Sequence, residues 1–212
     1  MMSVPDRSID PRILESAKQE FLKNGFENTM LSKICIGAGV TTGALYKRYS
    51  GKEDLFNALV KETVDDLIAV VERKDLQKVS SLSDKELVEA WQMDEKYMLW
   101  WFDILEKHRD GFRLLLCCSD GTEYSNFQHD WVEKMTELTK NYLFEAQKRG
   151  LTDKIVDEKE LHILLSAFWT TIYEPFIHNF SWEQIKAHSS TVCRLFNWYE
   201  AIGFKKSAII SN

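Results

Sequence analysis

The chain has 212 residues, 44% of them hydrophobic and 28% charged, with three prolines and nine glycines. That composition is ordinary for a globular protein of one or two domains with a sizeable core, and the few prolines and glycines suit long helices better than many short strands. No apolar run reaches the ~18 residues a membrane-spanning helix needs, and "MMSVPDRSIDPRI" at the N-terminus has no apolar signal core, so a cytoplasmic protein is expected. The net charge of −6 is unevenly spread: eight Lys/Arg against six Asp/Glu leave residues 1–53 at +2 and the remainder at −8. Thr29 to Lys52 holds Lys33, Lys47, Arg48 and Lys52 and no acid, a local patch suited to phosphate on an otherwise acidic chain.

Helical periodicity dominates from the start. Ile9, Ile13, Leu14, Ala17, Phe21 and Leu22 form one apolar stripe, with Asp10 as N-cap, Pro11 in the first turn and Gly25 as the stop. Thr29 is expected to cap a second helix over about 30–37, with Leu31, Ile34 and Cys35 inward. Gly37 and Gly39 are assigned to the following turn, Gly39 supplying a positive φ. Thr41 is expected to cap a third helix over about 42–49, which Ser50-Gly51 ends. A long fourth helix begins near Lys52, with Leu55, Phe56, Leu59, Val60, Val64, Leu67 and Ile68 as its stripe. "LQKVSSLSD" (Leu76 to Asp84) reads as a linker. Helices follow at about 84–108, 110–118, 123–149, 157–180 and 182–203, the last opening on a Ser181/Gln184 capping box. No stretch alternates with period two long enough to be a strand.

"IGAGVTTGALYKRYSGKEDL" (Ile36 to Leu55) admits two readings. Its glycines approach a dinucleotide-binding fingerprint, but that motif needs a preceding buried strand and a βαβ continuation, and the spacing is wrong by one. The same letters read as the turn and second helix of a helix-turn-helix. On a helical wheel Leu45, Tyr49 and Ala44 turn to the core with Val40, while Thr42, Gly43, Tyr46 and Lys47 fall on the opposite side. Such a face carries small or polar groups at the helix N-terminus, where a recognition helix enters the major groove, with phosphate-binding groups around it.

Gly25-Phe26, Thr29, Ile34-Cys35, Gly39-Val40, Thr41-Thr42-Gly43, Leu45-Tyr46, Tyr49 and Lys52-Glu53-Asp54-Leu55 together resemble the DNA-binding domain of the tetracycline-repressor (TetR) family over about residues 9–56. Cys35 stands where the family usually has Ala, and Tyr49 where it usually has Phe. The resemblance implies an all-α protein: a three-helix DNA-binding domain over 1–56 and a helical ligand-binding and dimerisation domain over 57–212. It implies a repressor that leaves a palindromic operator when a small apolar or aromatic effector binds. By the same resemblance Thr29, Tyr46 and Lys52 would hold phosphates, while Thr42, Gly43 and Lys47 would approach base edges, with Thr41 and Arg48 beside them.

The seven tryptophans all lie beyond residue 90. "LHILLSAFWTTIYEPFIHNF" (Leu161 to Phe180) is apolar nearly all round and "STVCRLFNWYEAIGF" (Ser190 to Phe204) has a broad apolar face, so helices over 157–180 and 182–203 are assigned to a two-fold homodimer interface. Trp100, Trp101, Asp103, Phe168, Tyr173 and Glu174 are the candidate effector contacts, the two acids being expected among aromatics, and Pro175 is expected to kink its helix. The four cysteines match no zinc pattern and read as buried thiols, and the five histidines include no H-x₃-H pair, so no metal or cofactor is expected. No catalytic constellation is found. A helical ligand sensor without specific DNA binding is the alternative, and an enzyme the remoter one.

Overall fold

The computed structural model describes residues 9–75 and 78–210. The helices are α1 (Ile9–Asn28), α2 (Leu31–Ala38), α3 (Thr42–Tyr46), α4 (Lys52–Asp75), α5 (Asp84–Glu89), α6 (Glu95–Lys107), α7 (Arg109–Cys117), α8 (Phe127–Lys148), α9 (Glu158–Ile177), α10 (Trp182–Leu195), α11 (Trp198–Ile202) and α12 (Lys206–Ile210). Among the described residues there is no strand, only an isolated antiparallel bridge between Thr152 and Phe204. The all-α expectation holds.

The chain forms two compact units, and neither is a single stretch of sequence. The first takes the chain up to Asp66 together with His108–Phe127; the second takes Leu67–Lys107 with Gln128–Asn212. A single cut after residue 56 therefore does not follow the packing. Leu114, Leu115 and Cys118 are buried in the same cluster as Ile13, Phe21 and Leu45.

In the first unit the apolar stripe of α1 puts Ile13, Ala17 and Phe21 fully inside. The helix breaks at Gly25 (φ 75°, ψ 167°), a left-handed residue that turns Phe26 back onto the core. Phe21, Phe26 and Phe56 then meet in a triangle with ring centroids 5.4–5.7 Å apart, two of the three contacts edge-to-face as aromatic quadrupoles prefer. The N–H of Phe26 donates to the carbonyl of Cys118 at 3.0 Å. His108 Nε2 lies 2.7 Å from Asp66 Oδ2 on α4.

The second unit is built on aromatic packing. Trp101, Trp131 and Trp169 meet edge-to-face with centroids 5.0–6.2 Å apart. Phe168 packs on Trp198, which packs on Trp91. Two of the expected helices are interrupted: 84–108 divides at Ala90–Asp94 into α5 and α6, and 182–203 divides at Phe196–Asn197 into α10 and α11, where the Asn197 side chain caps the new helix. Local chemistry competing with periodicity explains the first division. Asp94 Oδ1 accepts from Tyr97 N–H at 2.9 Å, which starts a helix inside a continuous apolar pattern. The expected Ser181/Gln184 capping box is present.

Of the expected linker, Leu76 and Gln77 lie outside the described residues. Val79–Ser81 is a 3₁₀ turn. Arg149 holds it, donating to the carbonyls of Leu82 (2.6 Å) and Ser80 (3.2 Å) while pairing with Asp84 and Glu145. Pro175 sits inside α9 and cannot donate to the carbonyl of Thr171. His188 Nε2 from α10 takes that acceptor instead at 2.8 Å, so the helix continues to Ile177 and the freed carbonyl is satisfied.

Candidate nucleic-acid interface

The first unit presents α3 on a scaffold made by α1 and α2. Ser16 Oγ donates to the carbonyl of Ile34 at 2.9 Å and fixes the crossing of those helices. Gly37 belongs to this crossing and not to the turn. It is helical, and a Cβ there would collide with the Ser16 side chain. Gly39 alone makes the turn, at φ 63° and ψ 40°, and its N–H donates to carbonyls of the last turn of α2. Thr41 then caps α3 as expected, its hydroxyl accepting from Ala44 N–H at 3.2 Å.

Leu45 is fully buried and anchors α3 to the core. The opposite side is open. Thr41, Thr42, Gly43, Tyr46 and Lys47 are all exposed, Tyr46 by 55%. Nothing lies within 4 Å of the position a Gly43 Cβ would take, so this face offers bare backbone beside a phenol and an ammonium. Lys52, at the start of α4, donates from Nζ to the carbonyl of Glu27 at 2.9 Å and lies 4.4 Å above the Phe26 ring. One of its three donors is used; the others are available to an anion beside the α3 face.

Two of the expected contacts stand elsewhere. Thr29 is buried, and its hydroxyl faces the carbonyls of Gly25 (2.7 Å) and Glu20 (3.1 Å). It neither faces a phosphate nor caps α2, whose N-cap is Met30 with no side-chain bond. Arg48 turns back onto its own domain, pairing with Asp10 and donating to the carbonyl of Ala44 at 3.2 Å. Asp10, read as a cap, lies within the first turn of α1 and serves as this partner. Tyr49 is half-buried, which pushes its phenol above the usual range, the charges of Asp10 and Asp54 adding to the effect. Met30 and Ile36 are exposed apolar side chains of α2 and its cap that the wheel of α3 could not reveal.

The expected effector contacts do not gather into one site. Trp101, Phe168 and Tyr173 are buried in the aromatic core of the second unit, and desolvation drives the Tyr173 phenol far above its ordinary pKa. Asp103 and Glu174 are exposed, not embedded among aromatics, and Glu174 pairs with His178 at 3.0 Å. Both acids sit on the solvent side of their helices. Trp100 is 44% exposed and edge-on to Trp101. A cleft of about 260 Å³ lies instead at the α5–α6 break, walled by Trp91, Met93, Tyr97, Leu138 and Tyr142. Of the four thiols, Cys35 and Cys118 are buried, Cys193 is intermediate and Cys117 is exposed.

Residues 13–59 match the family of bacterial regulatory proteins, tetR family. The match is confined to that segment, less than a quarter of the chain. The Fatty acid metabolism regulator protein of Bacillus subtilis (strain 168) is 30% identical over 74 residues, 35% of this chain and 38% of that protein. The HTH-type transcriptional regulator TtgR of Pseudomonas putida is 39% identical over 67 residues, 30% of this chain and 32% of that protein. The chain thus aligns with about a third of the length of these curated relatives. The fold likeness extends further. A TetR-family transcriptional regulator from Bordetella parapertussis 12822 superposes with a TM-score of 0.60 at 16% identity, covering 91% of this chain and 95% of that one. The fatty acid degradation regulator FadR of Bacillus halodurans gives 0.52 at 17% identity, covering 88% and 96%. The matched segment, Ile13 to Leu59, includes every element of the α3 face.

Proposed function

We propose that the protein is a homodimeric, ligand-responsive transcriptional regulator that binds a palindromic operator with the exposed face of α3 and represses transcription until an effector releases it. The observation that carries this reading is the division of α3 itself: Leu45 locked in the core, and Thr42, Gly43, Tyr46 and Lys47 presented together to solvent. Thr42, Gly43 and Lys47 approach base edges. Thr41, Tyr46 and Lys52 hold the flanking phosphates, which fixes the register of the helix in the major groove. Thr29 and Arg48 support the scaffold.

A stripe of small and apolar exposed residues supports dimerisation through α9 and α10. Ile163, Ser166, Ala167 and Thr170 follow helical spacing on α9, and Ala187, Thr191 and Leu195 do so on α10. A two-fold dimer presents two α3 faces, as a palindromic operator requires. The Trp91–Tyr142 cleft has walls matched to an apolar or aromatic effector.

The test is a gel shift of the full chain on the DNA upstream of its own gene, with sedimentation in parallel. A dimer that binds one palindromic segment, and loses sequence preference in Lys47→Ala, is the expected result. A monomer, or equal affinity for all sequences in the wild type, overturns the proposal.

A further inference from the structure

Two histidines from different helices of the second unit meet at one groove. His129 stands at the start of α8 and His162 in the second turn of α9, with ring centroids 5.9 Å apart and planes at 67°. They line a surface groove of about 490 Å³, to which Glu133 and Thr136 also contribute.

Thr136 ties down one ring nitrogen of His162. Its buried hydroxyl lies 2.8 Å from the carbonyl of Val132 and 3.2 Å from His162 Nδ1. With the hydroxyl proton given to Val132, the Nδ1–H tautomer of His162 completes the contact and leaves Nε2 as a bare lone pair. Metal-binding histidines are prepared in this way, one ring nitrogen donating to a fixed neighbour and the other left for the ion.

The ring separation fits a shared ion. With metal–nitrogen bonds of about 2.0–2.1 Å, two imidazoles on one metal place their centroids roughly 5–6 Å apart. A carboxylate is at hand as well. Glu133 lies one helical turn after His129, on the same side of α8, and is exposed. Glu137 and Glu158 are held by Lys140 at 2.6 and 3.1 Å. Among the described residues no three His, Cys, Asp or Glu side chains are already gathered around a point. The histidine pair is the preformed part, and Glu133 joins it by turning about its own torsions.

We propose that His129 and His162, closed by Glu133 and water, bind a divalent first-row transition metal ion across α8 and α9. Two imidazoles and a carboxylate suit zinc, nickel or cobalt and not the oxygen-seeking magnesium or calcium. The spacing rule applied to the sequence missed this set because the ligands come from two helices.

The experiment is calorimetric titration of the untagged full chain with nickel and with zinc salts, together with the absorption spectrum of the cobalt-loaded protein. One ion per chain is expected. His129→Ala and His162→Ala should each lower affinity at least tenfold and Glu133→Gln several-fold. Thr136→Val, which removes only the positioning acceptor, should also weaken binding. The cobalt spectrum should lack a thiolate charge-transfer band. Wild-type affinity in either histidine variant, or a thiolate band pointing to Cys117, overturns the proposal.

Discussion

Lys52 Nζ donates to the carbonyl of Glu27 at 2.9 Å while lying over the Phe26 ring, so one ammonium ties the start of α4 to the end of α1. Its replacement therefore acts twice. Lys52→Ala should lower unfolding stability by about 0.5–1.5 kcal/mol through the lost hydrogen bond and cation–π contact. It should also weaken binding to every DNA sequence and lower the salt slope by about one ion. Urea denaturation reads the first effect and gel shifts across salt the second. A variant changed in neither respect would remove Lys52 from the interface.

Lys47 behaves differently because its side chain is exposed on the outer face of α3. Lys47→Ala should leave stability within about 0.5 kcal/mol of wild type. It should cost about 1–3 kcal/mol against the preferred operator and much less against random DNA. Equal losses on both DNAs would make Lys47 a phosphate contact.

Thr29→Val separates structural from DNA-contacting roles. The buried hydroxyl bonds to Gly25 and Glu20 disappear, at a cost of about 1–2 kcal/mol. Operator affinity of the folded variant should stay at the wild-type value. A tenfold loss with the fold intact would restore a phosphate role to this residue.

Pro175 and His188 are coupled through the Thr171 carbonyl. Removing the His188 donor should destabilise the wild-type background by about 1–2 kcal/mol. In Pro175→Ala the helix regains its own N–H donor, and the same His188→Ala change should cost less. A double-mutant cycle measures the difference. Additive costs would show that the ring's contacts with Phe102 and Phe180 matter more than its hydrogen bond.

The thiols differ in reactivity. Burial pushes Cys118 up to about 11, the neighbouring Cys117 adding to the effect, while Cys117 is exposed. At about pH 8 a maleimide should label Cys117 in the native protein and reach Cys118 only after unfolding, because the thiolate is the nucleophile. The sign for stability follows. The folded thiol keeps its proton above the ordinary thiol value of 9.0, so this group favours unfolding increasingly as pH rises from 9.0 to about 11. Mass spectrometry of the labelled peptides, and unfolding midpoints over that alkaline range, check the two statements.

Much of the first unit was legible because local chemistry and tertiary packing agree there. The Gly39 turn, the Thr41 cap and the inward Leu45 each follow from a residue type at a required position. Thr29 was misread because the break at Gly25 brings α1 carbonyls onto its hydroxyl, and Gly37 because its role is set by a residue far away in sequence. Gly25 and Glu20 turn the Thr29 hydroxyl inward, and Ser16 makes Gly37 a packing residue. The Arg48–Asp10 pair was hidden because its partners are distant in sequence. In the second unit periodicity located the helices but not their breaks, since Asp94 and Asn197 interrupt apolar patterns that run on past them. Periodicity also could not tell which aromatics fill the core and which line a cleft. Trp101 and Tyr97 lie on the same helix, yet one is sealed and the other borders open space.

The first unit is closed by residues 108–127, which the ribosome delivers long after α4. Until Leu114, Leu115 and Cys118 arrive, the apolar cluster around Phe21 and Phe56 is one side short of complete. The first unit therefore matures late, after more than half the polypeptide has been made. Anyone grafting this unit onto another protein must carry two segments of gene and not one: a chimera joined after residue 56 would leave Phe26 without its Cys118 acceptor and would inherit an open, adhesive flank.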